Sequence, residues 1–128
     1  MANLNISIDD LAAEITLAVK EYTEDVTAGI EQAVDEESKA LVDAIRADAP
    51  KKTGEYAKGW TRKKVGSAGE VQYVIYNKSK PWLAHLLENG HAKRGGGRVA
   101  GKPHIRPNYR RTEEQLTARI RGIIRNGG

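Results

Sequence analysis

The segment Gly96-Gly97-Arg98-Val99-Ala100-Gly101-Lys102 carries most of a phosphate-binding loop: glycines that admit an anion to the backbone, then a lysine. That chemistry needs a buried strand before the loop and a Ser or Thr after the lysine to hold magnesium. Here His91-Ala92-Lys93-Arg94 precedes and Pro103 fills the Ser/Thr position, so nucleotide binding is not expected. The three histidines, His85, His91 and His104, are six and thirteen residues apart, which matches no common zinc spacing, and a surface or capping role suits them better. Glu88 near His91 and Lys93 hints at a nuclease centre. Metal nucleases, however, need several converging carboxylates, and Glu55, Glu70, Glu88, Glu113 and Glu114 are mostly scattered. The expectation is a protein without catalysis, cofactor, metal or small-molecule substrate.

The stronger signal is positive charge on a flexible backbone. Residues 91–106 hold four glycines and the cations Lys93, Arg94, Arg98, Lys102 and Arg106, with His104 adding a sixth when protonated. Such a loop can follow a phosphate surface without reading bases, or dock on an acidic protein. It shows no apolar periodicity and is expected to be a loop; loops of this length in small domains are usually functional or disordered. Charge is also divided along the chain. Residues 1–50 carry twelve acids and three bases, and residues 51–128 five acids and eighteen bases, balances of −9 and +13. Halves this different favour head-to-tail association of copies through unlike surfaces.

These residues must be positioned by a small structure. A chain of 128 residues makes one domain, and with no Phe, two Trp and one Met its core is modest. It contains no cysteine, which removes disulfides and thiolate zinc sites. No basic start followed by an apolar run marks a secretory signal, and no stretch approaches the roughly 20 apolar residues of a membrane span. A soluble protein made in a cytoplasm is expected.

Residues 8–48 read as one helix. Ser7 and Asp10 resemble a capping box, Asp9 and Asp10 suit the positive end of the dipole, and Leu11, Ile15, Val19, Tyr22, Val26, Ile30, Ala33, Leu41 and Ile45 fall on one stripe. Pro50 stops it, and Gly29 is the weakest point, a candidate hinge. Forty residues would make about 60 Å of helix, longer than the roughly 35–40 Å diameter of such a domain, so overhang onto another chain is favoured over a folded-back hairpin. Pro50-Lys51-Lys52-Thr53-Gly54 reads as a turn, and 56–65 and 71–77 as strands joined by Ser67-Ala68-Gly69-Glu70. Val71, Tyr73 and Ile75 share one face of the second strand. Pro81 opens a short helix whose apolar face is Trp82, Leu83, Leu86 and Leu87, expected to pack on the sheet, and Asn89-Gly90 ends it. Pro107 opens a last helix carrying Leu116, Ile120, Ile123 and Ile124, with Glu113 and Glu114 near its start and Arg119, Arg121 and Arg125 toward its end.

The order of these features over residues 45–115 resembles one family, the small neck or tail-completion proteins at the head–tail junction of long-tailed bacteriophages. Pro50, Thr53 and Gly54 after a long helix look like its opening signature. Tyr76-Asn77 followed by Trp82, Ala84, Leu86, Glu88 and Gly90-His91 looks like its strand-to-helix signature. The family tends to show Pro-Phe-x-x-Pro-Ala before the last helix, where this chain has Pro103-His104-Ile105-Arg106-Pro107-Asn108, with Ile105 available to replace the Phe.

The resemblance implies an α+β fold: a long N-terminal helix, a small antiparallel sheet with a short helix packed on it, a long basic loop and a C-terminal helix. In domain terms it implies one unit of residues 1–128, with an acidic helical arm (1–50) and a basic body (51–128). It implies a non-enzymatic structural protein of the virion, synthesised in the host cytoplasm. Six or twelve copies would form a ring between portal or head-closure proteins and tail-terminator or tail-tube proteins, with genome DNA in the lumen and no membrane. Lys93, Arg94, Arg98, Lys102 and Arg106 would meet DNA or a partner. The competing expectation is a free, non-enzymatic protein binding nucleic acid without sequence preference, although neither a helix-turn-helix nor a stacking platform is evident.

Overall fold

The computed structural model describes residues 2–6, 11–52 and 54–128, with side chains from residue 12 onward. The chain runs β1 (Ala2–Ile6), β2 (Leu11–Ala18), α1 (Glu24–Asp48), α2 (Glu55–Lys58), β3 (Trp60–Val65) and β4 (Glu70–Asn77). A 3-10 turn at Pro81–Leu83 then leads into α3 (Ala84–Asn89), β5 (Gly90–Ala92), β6 (Arg98–Ala100) and α4 (Arg106–Asn126). The fold is α+β, with the long helix, small antiparallel sheet, short helix and C-terminal helix that the sequence implies.

The long helix starts later than its apolar stripe predicts. Residues 11–18 are strand, because Ala13, Ile15, Leu17 and Val19 also alternate inward at period two. An apolar residue every fourth position satisfies a helix and a strand alike, so Ile15 and Val19 fitted both patterns. Pairing decides between them: β2 lies between β1 and β4, with Ile15 opposite Tyr73 and Leu17 opposite Val71. Ser7, Asp9, Asp10 and Thr53 lie outside the described residues.

Helix α1 is capped by Thr23, whose side chain accepts from the Val26 N–H at 3.3 Å, with Glu24 and Asp25 in the first turn. Its 25 residues span about 37 Å, which matches the domain and leaves no overhang. It is continuous through Gly29. That glycine admits α4 instead of hinging: a Cβ there would stand 3.0 Å from Ile123 Cγ2. Contacts from Asp48 to Asn108, Glu36 and Glu37 to Arg119, and Gly29 to Ile123 show that α1 and α4 run antiparallel.

The four-stranded sheet has the order β1-β2-β4-β3, antiparallel throughout. The core lies between its inner face and the two long helices, and includes Ile15, Ile30, Leu41, Ile45, Trp60, Val71, Ile75 and Leu116. Residues 56–58, read as the start of a strand, belong to the short helix α2, which buries Tyr56 and Ala57 beside Trp60. The short apolar helix is also placed differently from expectation. Ala84, Leu83 and Leu87 pack on the core, Leu86 is half-buried, and Trp82 is 61% exposed. The sequence at 81–83 winds as 3-10, with three residues per turn, which rotates Trp82 off the inward face.

Candidate functional site: a basic arm and the buried carboxylate at its root

Residues 90–100 are a β-hairpin, not an irregular loop. Gly90 pairs with Ala100, His91 with Val99 and Ala92 with Arg98. The tip turns at Gly95-Gly96-Gly97, where Gly96 and Gly97 take φ of 101° and 80°, and the Lys93 N–H donates to the Gly97 carbonyl at 3.0 Å. Every residue from 91 to 100 is exposed. The hairpin is therefore an arm with solvent on both faces. Two strands alone are marginally stable, so the arm depends on its root.

At that root stands Glu88, 5% exposed on α3. Its Oε1 accepts from the backbone N–H of His104 at 2.8 Å and of Ile105 at 2.9 Å, and Oε2 accepts from Arg106 N–H at 2.9 Å. Those donors open α4, and Ile105, the helix's own cap position, has no side-chain acceptor. Glu88 caps α4 from another helix and places a negative charge at its positive end. The Lys102 N–H donates to the Leu87 carbonyl at 2.7 Å, closing the far side of the arm. Gly90 (φ 80°) and Gly101 are required here, because a Cβ would strike the Val99 carbonyl at the first and the Glu88 carbonyl, 2.5 Å away, at the second.

His104 is wholly buried beneath this carboxylate, a correction to its reading as a surface or loop histidine. Its Nδ1 lies 2.7 Å from the Lys102 carbonyl and 3.2 Å from Glu88 Oε1, and Nε2 lies 2.6 Å from Tyr56 Oη. Burial drives its pKa below the usual histidine value, so the ring is neutral. A carbonyl accepts only, so Nδ1 carries the proton and Nε2 takes the Tyr56 hydroxyl. Desolvation raises the Tyr56 phenol well above its ordinary value and keeps it protonated as that donor. Tyr56, Trp60 and His104 stack edge to face, with centroids 5.5–6.3 Å apart. Asn77 Nδ2 donates to the Tyr56 carbonyl at 2.7 Å, and Asn108 Nδ2 bridges Asp48 and the His104 carbonyl at 2.8 Å each. Ile105 is buried, in the place where the family pattern has Phe.

Among the residues read as signatures, Pro50 follows α1, Gly54 takes φ 84° before α2, and Tyr76 is half-buried on the outer face of β4. Of the basic residues, Lys93 and Arg94 lie at the tip, and their side chains make no hydrogen bond or ion pair among the described residues. Arg98 donates to the Asn89 carbonyl at 2.8 Å and Arg106 to Asn89 Oδ1 at 2.6 Å. Both acceptors are neutral, so neither cation is compensated. An open groove of about 520 Å³ at the root joins Arg106 and Arg110 to Glu88, Asn89, Gly101, Pro103 and Pro107. Among the described residues, His, Asp and Glu side chains form no group of three or more that could hold a metal.

The charge division along the chain is partly neutralised within one molecule. Arg62 binds Asp35 at 2.8 Å, with Tyr73 Oη donating to the same carboxylate at 2.9 Å, and these bonds lower the Asp35 pKa. Arg119 reaches Glu36 at 2.7 Å and Glu37 at 2.9 Å. Around the arm, Lys93, Arg94, Arg98, Lys102 and Arg106 have no carboxylate partner among the described residues. The sequence located these cations and marked Glu88 as a signature residue, but nothing in it joined Glu88 to Tyr56 and His104.

A family model described as "Bacteriophage HK97-gp10, putative tail-component" matches residues 13–90, from β2 through α3 to the first residue of the arm. No curated protein and no solved structure shows significant similarity to the chain.

Proposed function

From the fact that the chain belongs to the HK97-gp10-like family of bacteriophage tail components, we propose that it is a non-enzymatic neck or tail-completion protein of the head–tail junction. Copies form a ring of six or twelve between portal or head-closure proteins and tail-terminator or tail-tube proteins. The basic arm points to DNA in the lumen or to a partner. The virion location as such follows from the family; the junction, the ring and the arm's role are the proposal.

One observation carries it. The arm stands clear of the body, exposed from 91 to 100, on a root fixed by a buried carboxylate, and a domain gains nothing internally from holding such an element. Unlike surfaces between copies give heterologous contacts, which close into rings when the rotation permits.

Cryo-electron microscopy of the neck of virions carrying the protein tests the reading directly. Density for these four strands and two long helices, repeated in a ring between portal and tail, is expected. A second test reverses Lys93, Arg94 and Arg98 to Glu in the phage, which should give unjoined heads and tails or leaking DNA. Particles that join normally and are fully infectious would make the arm a bystander, and absence of the protein from the junction would overturn the proposal.

A further inference from the structure

We propose that the arm and the first turn of α4 form one continuous surface that grips the phosphates of duplex DNA without reading its bases. This deepens the junction reading by naming the arm's partner. The surface comprises Lys93, Arg94, Arg98, Lys102, Arg106 and Arg110, all exposed.

Three observations select a polyanion. Lys93, Arg94 and Lys102 have no carboxylate partner among the described residues, and Arg98 and Arg106 bond only to neutral oxygens of Asn89. The one acid at the root, Glu88, is turned inward onto three backbone N–H groups and does not neutralise them. Arg62 and Arg119, by contrast, are each held by a carboxylate, of Asp35 and of Glu36 and Glu37.

Two further observations select a duplex over an acidic protein or a single strand. Protein interfaces are anchored by buried aromatic or large apolar side chains, and the only large apolar residue on the arm is Val99. Single strands are held by aromatic platforms, and the arm has no Phe, Tyr or Trp. A two-stranded ribbon with strands about 4.8 Å apart fits a major groove about 12 Å wide. Glycines at the tip let the backbone approach the phosphates closely.

Binding of the purified full chain to a mixed-sequence DNA duplex of about three helical turns, followed by fluorescence anisotropy across a salt series, tests this. Wild-type protein should bind with little sequence preference, its affinity falling by about 0.9 log units per log unit of salt for each phosphate engaged. Lys93→Gln/Arg94→Gln/Arg98→Gln should lower that slope by about two to three and weaken binding at least tenfold at low salt, with an unchanged melting curve. Arg121→Gln/Arg125→Gln, at the other end of α4, should bind as wild type. No binding by wild type at low salt would overturn the proposal, as would equal losses in both variants. Loss of self-association with DNA binding intact in the triple variant would also overturn it, and would assign the arm to a second copy. The outcomes separate the two readings: a chain that binds DNA as described but is absent from the junction refutes only the junction, and one that sits at the junction but ignores DNA refutes only this surface.

Discussion

Glu88 Oε1 lies 2.8 Å from the backbone nitrogen of His104, sixteen residues further along the chain, and the same carboxylate takes the next two N–H groups. One side chain thus ties the helix that leads into the arm's first strand to the helix that follows its second. The arm's base is closed, whatever its tip does.

Replacing Glu88 with Ala leaves three helix-opening donors without an acceptor. An N-cap alone is worth about 1 kcal/mol and each unsatisfied buried donor about 1–3, so a loss of about 2–4 kcal/mol is expected in denaturant melts. A loss below about 0.5 kcal/mol would show that water replaces the carboxylate without cost.

His104 makes stability depend on pH in a definite direction. Its folded pKa lies below the unfolded value of about 6.5, so between the two the unfolded chain binds more protons. Its contribution is therefore complete above about pH 6.5 and falls as pH drops through and below that value. Melting temperatures measured between about pH 7.5 and pH 5.5 should fall more steeply for wild type than for His104→Gln. Parallel curves would mean that the ring is not titrating in this window.

The arm's root tolerates no side chain at Gly90 or Gly101. Gly90 adds a φ of 80° to the clash, and at Gly101 the Glu88 carbonyl is rigid backbone. Gly90→Ala should cost about 2 kcal/mol or more, whereas Gly95→Ala at the open tip should be within about 0.5 kcal/mol of wild type. Equal effects at the two sites would show that the hairpin is not held as described.

Core contributions should rank Leu116 far above Leu86. Leu116 is fully buried, and its replacement by Ala should cost about 2–5 kcal/mol, whereas half-buried Leu86 should cost about 1 kcal/mol. Trp82→Ala should leave stability nearly unchanged, since that ring faces solvent. A large loss at Trp82 would return it to the core.

The sequence by itself determined what depends on local chemistry. Pro50 ends α1, Pro107 opens α4, the period-two row Val71, Tyr73 and Ile75 makes the inner face of β4, and the cations of 93–106 are visible as composition. The family was legible too, in the signatures from Pro50 to Gly90, all within or beside the matched span. Tertiary structure decided whatever required a partner distant in the chain. Residues 11–18 became strand because β4 offered a ladder, since an apolar residue at every fourth position fits helix and strand equally. Gly29 became a close-packing point because Ile123 arrives there. The acidic and basic halves, read as a reason for copies to associate, partly satisfy each other through Arg62 and Arg119, because α1 folds onto β3 and α4. His104 is buried and neutral only because Glu88, Tyr56 and the Lys102 carbonyl converge on it, and a sequence records distance along the chain, not proximity in space.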